Sequence, residues 1–502
     1  MTKADLTGGQ LLARNTLWNL SGQMLPMVVG LLAVPVIVRA MGVARFGVLS
    51  LAWVVIGYFS LFDLGIGRAL TKLVSDKLAA HEERDISPLV WTSLLLMLLL
   101  GTTAGLIVGA ATPWVVHKAL RIPIDLQHET LIGFYLLAAS IPIVTVTSGL
   151  RGVLEALQRF RILNLIRIPM SVFSFGGPLL VLPFSSSLVP VIGVLLIGRL
   201  VGLGAHTYAC LANMPALRHE FLLSKSLITP IVRFGGWMTI SNIVGPLMTY
   251  LDRFVVGSLL SVTALGYYTA PYDMVTRVTV IPGAMAGVLF PAFALSLIQN
   301  PDRAALLLNR GLKYIFLSVF PILLCLMTLA PEAMRLWLGA DFAEHATSAL
   351  RWLTAGVFVN CLAQVPFALI QSGGRPDLTA KLHLLELPPY LAAVWWLTKS
   401  LGIEGTAIAW TGRAILDAIL LVLFGHLILP HRLSFLVRLG ASVTGGLALM
   451  FIGTLLQSVS IKLAFLAGSL FIFGLSTWLV ALHPDERTFV HGVRGKIFGL
   501  RS

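Results

Sequence analysis

Ionisable side chains deep inside long apolar runs carry the chemistry this sequence has to offer. Arg199 lies nine residues past Pro190, roughly 14 Å down a helix at 1.5 Å per residue, too deep for its guanidinium to reach an aqueous face easily. Arg277 and Arg413 stand within other apolar runs. Three guanidinium groups on three helices outline a cationic cavity. The planar fork of Arg suits such a cavity to an anion, above all a phosphate, through paired hydrogen bonds. Asp273 and Arg277 are spaced i, i+4, as are Arg413 and Asp417, which puts each pair on one helical face. Two readings of these pairs stand. Each is an internal salt bridge that locks helix packing, or each keeps its Arg for a travelling anion while the carboxylate pairs with it, or takes a proton or sodium ion, once the anion has left. Arg199 has no acidic residue within one turn, which favours the anion. Asp252 and Arg253, near the outer end of their run, read as an interfacial pair or as ion-coupling groups. Glu386 is a lone carboxylate roughly 12 Å from the inner face, either an ion-coupling site or a protonated core residue. His206, His383 and His426 come without an H-x-x-H spacing and read as packing residues.

The elements that must hold these groups follow from composition. A chain of 502 residues would ordinarily make several soluble domains, but here 57% are hydrophobic and 12% charged, against about 25% charged in a typical globular protein. With a mean hydropathy of +0.89, the chain has too little polar surface to cover soluble domains. It reads as an all-α polytopic membrane protein, since helices satisfy their own backbone groups within a bilayer. A hydrocarbon core about 30 Å thick needs roughly 20 apolar residues per helix, and about fourteen such segments are present. They run over 16–38, 46–62, 88–116, 130–150, 166–184, 189–212, 234–260, 266–290, 314–337, 346–371, 378–400, 405–429, 434–457 and 462–482. Many carry proline, which removes a backbone hydrogen bond and kinks the helix. Gly101, Gly105 and Gly109, and likewise Gly283 and Gly287, have the small-x-x-x-small spacing of close helix packing.

The net charge of +14 is not that of a nucleic-acid binder, because the Lys and Arg residues recur in small groups between apolar runs instead of forming one solvated face. They set topology. With the N-terminus inside, Lys3, Arg14, Arg68, Lys72, Arg151, Arg159, Arg167, Arg233, Arg310, Arg375 and the tail residues Arg487, Arg494, Lys496 and Arg501 all fall on the inner side. An even helix count with both termini cytoplasmic satisfies the positive-inside rule. The first apolar run is too long for a signal h-region and no cleavage site follows it. Cys210, Cys325 and Cys361 are far apart in apolar segments, so neither a disulfide framework nor a zinc site is expected.

An offset of 219 residues brings Trp18 onto Trp237, Gln23 onto Asn242 and Gly47 onto Gly266, and one of 214 brings Gly198-Arg199 onto Gly412-Arg413. Units six helices apart share their orientation, so this is a parallel repeat. The expected organisation is two pseudo-symmetric six-helix lobes, over 1–212 and 213–429, two further helices over 430–482 and a cytoplasmic tail over 483–502.

No G-x-x-x-x-G-K-[ST], H-E-x-x-H or G-x-S-x-G occurs, so neither phosphate-loop hydrolysis nor these catalytic sites are signalled. Asn15-Thr16-Leu17-Trp18, Gly42-Val43-Ala44-Arg45-Phe46-Gly47, Phe62-Asp63-Leu64-Gly65-Ile66-Gly67 and Arg151-Gly152-Val153-Leu154-Glu155-Ala156-Leu157-Gln158-Arg159-Phe160 follow one another in the first third of the chain. After them come Phe234-Gly235-Gly236-Trp237, Leu251-Asp252-Arg253-Phe254, Gly266-Tyr267-Tyr268, Ile281-Pro282-Gly283 and Leu289-Phe290-Pro291. In order and spacing this series resembles the oligosaccharide flippases, the polysaccharide-transport branch of the multidrug/oligosaccharidyl-lipid/polysaccharide exporter superfamily.

The resemblance implies a transporter, not an enzyme, in the bacterial inner membrane. It would turn an undecaprenyl-diphosphate-linked oligosaccharide outward by alternating access, for surface polysaccharide biosynthesis. No cofactor is implied beyond a proton or sodium gradient, and the partners are the lipid-linked substrate, membrane lipids and the polysaccharide polymerase and chain-length machinery. On this reading Arg199, Arg277 and Arg413 receive the diphosphate and sugar, while Asp273, Asp417, Glu386, Asp252 and Arg253 are the candidates for ion coupling or charge pairing. Two alternatives remain. A multidrug or metabolite cation antiporter of the same superfamily would concentrate acids in its cavity, whereas here the deep arginines predominate. A membrane glycosyltransferase or polymerase would present a sizeable outward loop, and the longest here, about 117–129, is small.

Overall fold

A computed structural model describes residues 9–58, 65–80, 82, 85–219, 222–229, 248, 250–429 and 433–481. Arg233, the stretch 234–247 with Trp237 and Asn242, Phe62-Asp63-Leu64 and the tail 483–502 lie outside the described residues, so the expectations placed on them are not taken further. Regular structure among the described residues is helical, with no strand. Nine of these helices are long and apolar enough to cross a membrane, and three shorter apolar helices accompany them. The protein is an all-α polytopic membrane protein.

Helix α1 (Gly9–Met41) passes into α2 (Val43–Tyr58) through Gly42, whose φ of 81° suits a residue without Cβ. A third helix, α3 (Ile66–Ala79), occupies what the hydropathy reading takes for a basic loop. It was missed because it is amphipathic: Ile66, Ala69, Leu70 and Val74 are buried while Arg68, Lys72, Asp76 and Lys77 share the sequence between them, so a window average cancels. Lys77 reaches Glu82 at 2.5 Å and Asp85 at 2.8 Å, tying the end of α3 to the approach to the next helix.

Helices α4 (Ile86–Trp114), α5 (Ile124–Ala156), α6 (Phe160–Val181) and α7 (Leu188–Asn213) follow. Helix α5 packs on α3, α4 and α7. Gly101 and Gly105 bring α4 against Pro142 and Ala138 of α5, where a side chain would collide, while at Gly109 a Cβ would make only an ordinary contact with Ala138. Gly283 and Gly287, read the same way from sequence, face open space instead; spacing alone does not reveal whether a neighbour stands opposite. The Glu129 carboxylate accepts from Arg45 at 2.7 Å, from the Ser187 hydroxyl at 2.7 Å and from the Leu188 amide at 2.9 Å, fastening α2 and α5 to the start of α7.

The chain continues as α8 (250–259), α9 (Val262–Thr276), a 3-10 turn at Arg277–Thr279, α10 (Val280–Gln299), α11 (Pro301–Thr328), α12 (Ala330–Leu338) and α13 (Ala340–Ser372). Helix α13 is the most buried of the spanning helices among the described residues, and it packs on α10, α11 and α12. The expected spans 378–400 and 405–429 lie in one helical stretch, α14 (Pro376–Ile428), broken at Gly402 with φ 63° and ψ −144°. Thr398 and Thr406 meet across that break at 2.7 Å. Last among the described residues are α15 (Leu433–Leu455) and α16 (Val459–Ser476), where buried Lys462 bonds Glu332 at 2.8 Å.

Contacts divide the chain into two compact units, one comprising Met1–Met274 with Leu387–Thr406, the other Val275–Glu386 with Ala407–Ser502. Within the first unit the 219-residue offset recurs as a contact. Gly47 lies against the Val262 carbonyl, and Gly266, its counterpart, lies 2.8 Å (as an added Cβ) from the carbonyl of Val43, the counterpart of Val262. Ser50 and its counterpart Thr269 share a hydrogen bond of 3.3 Å. Such reciprocity, where i meets j and the equivalent of j meets the equivalent of i, is the pattern of a twofold relation. Neither glycine has room for a Cβ, so Gly47→Ala is expected to lower stability by about 1–3 kcal/mol through overpacking. The thermal midpoint of purified protein reads this out, and an unchanged midpoint contradicts it.

Candidate functional site

Three helices of the first unit present polar side chains at helical spacing toward one another. From α5 come Thr147, Ser148 and Arg151, from α6 Arg167, Ser171 and Ser174, and from α7 Arg199 and His206, around a cavity of about 320 Å³. Gly198 and Gly202 flank Arg199 on α7. At Gly198 a Cβ would come within 2.7 Å of the Phe173 ring, so glycine allows α6 and α7 to close the apolar wall of the cavity there.

Charge in this cavity is one-sided. Arg151 has a weak, exposed partner in Glu155, one turn along at 3.2 Å. Among the described residues Arg199 and Arg167 have no hydrogen bond or ion pair, and Arg199 is half-buried. His206 is buried and its Nδ1 stands 2.8 Å from the Gly202 carbonyl, which leaves Nε2 for other partners. Three guanidinium groups on one cavity make a receptor for an oxyanion, their forks supplying charge and direction, while the Thr147 and Ser174 hydroxyls already donate to the Ile143 and Met170 carbonyls. From sequence, Arg151 and Arg167 read as inner-side basic residues and His206 as a packing residue, and none of the three is among the candidate site residues. The signal was available as Ser148 with Arg151 and Arg167 with Ser171 and Ser174 at i, i+3, i+4 and i+7, but Arg151 falls just outside its apolar run and Arg167 at the edge of its own, and both count there as topology markers.

Arg277 and Arg413 belong to the second unit. Arg277 opens the 3-10 turn between α9 and α10, and Arg413 is half-buried with its guanidinium carbon 5.9 Å from the Trp410 ring.

The acidic candidates separate into two groups. Asp252 and Arg253 are buried in the first unit, at 1% and 4% exposure, where an interfacial pair would be wetted. The guanidinium of Arg253 bonds Asp273 at 2.7 Å, twenty residues along on α9, and lies over the Tyr250 and Tyr272 rings at 5.2 and 4.9 Å. Asp252 accepts from the Tyr268 hydroxyl at 2.5 Å and from the Arg253 amide at 2.8 Å. These bonds join α8 to α9 in a charge cluster with internal partners. In the second unit, Glu386 and Asp417 converge with His383, whose Nε2 is 3.6 Å from Asp417 Oδ1. His383, read from sequence as a packing residue, also stacks on Phe367 with centroids 6.2 Å apart.

Removing Asp273 leaves the Arg253 charge buried without its partner, so Asp273→Asn is expected to cost about 3–5 kcal/mol. The double change Arg253→Met with Asp273→Leu should recover most of it. A single variant that melts with the wild type would mean that this pair does not hold α8 to α9.

The sequence profile of one family, described as polysaccharide biosynthesis protein, matches residues 12–296. A Shigella flexneri protein described as an O-antigen transporter is 28% identical over 409 residues, covering 81% of this chain and 96% of its own length. Among solved structures, an inward-facing multidrug resistance transporter of the MATE family superposes with a TM-score of 0.71 at 16% identity, covering 85% of this chain and 98% of its own. The lipid II flippase MurJ in an inward closed conformation does so with a TM-score of 0.69 at 14% identity, covering 92% and 98%. At these identities the solved structures speak to the fold.

Proposed function

The chain belongs to the polysaccharide biosynthesis protein family, and from that premise we propose that it is a flippase for undecaprenyl-diphosphate-linked oligosaccharide units. The observation that carries the reading is the cavity of the first unit, where Arg199 and Arg167 have no bonded partner among the described residues and Arg151 only an exposed one. A diphosphate carries about two negative charges, and moving it unaided through hydrocarbon would cost many kcal/mol. Guanidinium groups in a hydrated groove lower that barrier and bind the phosphate oxygens in pairs. The polyprenyl tail needs no escort, because it remains in lipid while the head group crosses.

In this reading Arg199, with Arg151 and Arg167, receives the head group in the first unit, and Arg277 and Arg413 supply positive charge for it in the second. The chain sits in the bacterial inner membrane with both termini cytoplasmic, in keeping with its inner-side Lys and Arg residues. It works by alternating access, drawing on a proton or sodium gradient, and hands its cargo to the polymerase and chain-length machinery. It transports and does not catalyse. The S. flexneri relative, described as an O-antigen transporter, supports a cargo of this class. A cavity lined by arginines is ill suited to a cationic drug, which weighs against the antiporter reading.

Deleting the gene should make a lipid-linked glycan accumulate on the inner leaflet and remove the corresponding surface polysaccharide. In the complemented strain Arg199→Ala, Arg277→Ala and Arg413→Ala should each cut export by about 10-fold or more, since a charge-assisted hydrogen bond contributes about 1.5–3 kcal/mol. Protein levels in the membrane should be unchanged, and Arg→Lys should restore part of the loss. Wild-type export by all three alanine variants at normal expression, or no accumulated glycan after deletion, would overturn the proposal.

A further inference from the structure

The acid cluster of the second unit has the opposite polarity to the Arg199 cavity. The Nε2 or Nδ1 of His383 and one carboxylate oxygen each of Glu386 and Asp417 lie within 4.8 Å of one another. Glu386 is 3% exposed and Asp417 5%. Neither oxygen of Glu386 has a hydrogen-bond partner, nor does Oδ1 of Asp417. Leu382, Ala363 and Leu421 form an apolar cluster here, with Phe367 and Ala418 packed against it, so no ordinary surface hydration compensates these oxygens. A buried carboxylate without a donor is among the costliest groups a protein can keep.

We propose that Glu386 and Asp417, with His383 beside them, form a binding site for one monovalent metal cation of the sodium type. Atoms this close together can share a central ion at about 2.3–2.6 Å, the range in which hard cations sit on oxygen. One ion held between an oxygen of Glu386 and Oδ1 of Asp417 compensates both carboxylates at once. Charge selects the valence. Two carboxylates, with Arg413 one turn before Asp417 on the same face, leave one net negative charge when His383 is neutral. A monovalent ion cancels it, and a divalent ion would leave an excess positive charge in an apolar setting.

The proposal rests on the ion-coupled reading above and gives the coupling ion a place. Its test needs no lipid-linked sugar, so its result is separable from that of the cargo assignment. Purified full-length protein in nanodiscs is titrated with radioactive sodium in choline buffer, with lithium, potassium, zinc and pH 5.5 to 8 as competing conditions. The expected result is saturable binding of one sodium per chain. Affinity should fall by about 100-fold or more in Glu386→Gln and in Asp417→Asn, beyond the roughly 10–100-fold that loss of a supporting outer group costs. Asp377→Asn, which removes an exposed acid from the same helical stretch, should keep it. Glu386→Asp, which retains the charge, should bind more weakly than wild type yet detectably, and size-exclusion profiles establish that each variant is folded. No saturable sodium in the wild type, undiminished binding in both carboxamide variants, or displacement by zinc at stoichiometric concentration would each overturn the site.

Discussion

A full charge inside an apolar medium requires an opposite charge close by, and the described residues meet that requirement in different ways. Arg253 has its anion within the protein, in Asp273, and two tyrosine rings beneath it. Arg199 has no bonded partner and stands at a cavity with Arg167, Ser171 and Ser174. The first arrangement is a structural lock. The second has value only if an anion arrives from outside, because a guanidinium kept half-buried without a partner is otherwise an uncompensated cost. Within one unit, a buried guanidinium with an internal partner thus stands beside a half-buried one that lines a cavity without a bonded partner.

Glu386 poses the same problem with the sign reversed. Its carboxylate is buried among apolar neighbours and bonded to nothing. A transporter that must bring an anion through and then reset needs groups whose charge is satisfied in one state by the cargo and in another by something else. Cationic and anionic unsatisfied sites in one chain are the ingredients of such exchange. The helices that carry them contain the means to bend: Pro142 in α5, Pro169 and Pro178 in α6, and the paired Pro388 and Pro389 with the Gly402 break in α14.

Much of the fold was legible because hydropathy windows respond to the property that a bilayer selects. Where two faces of a helix differ, the window fails, and α3 with buried Ile66, Leu70 and Val74 was read as a loop. Arg199 was legible as a charge inside an apolar run, and it lines the cavity, whereas Arg151 and Arg167 escaped because they stand at the edges of their apolar runs and only helix packing brings them to the same cavity. Pairing was least legible. Helical spacing offered Asp273 to Arg277, but the partner seen for Asp273 is Arg253, on a separate helix twenty residues earlier. His383 likewise meets Asp417 across thirty-four residues, a proximity that only tertiary packing creates. Gly47 and Gly266 were matched by offset alone, and their mutual close approach with Val262 and Val43 gives that offset a physical meaning.

The central claim, that the cationic cavity serves a charged head group, is tested most directly by comparing two ligands that differ in charge alone. Binding of a polyprenyl diphosphate oligosaccharide to purified protein in nanodiscs is measured against the same glycan on an uncharged polyprenyl ether. The account predicts that the diphosphate binds about 100-fold tighter, the equivalent of one or two charge-assisted contacts, and that most of this preference disappears in Arg199→Ala. Equal affinity for the two ligands, or a preference that survives the loss of Arg199 undiminished, would contradict it.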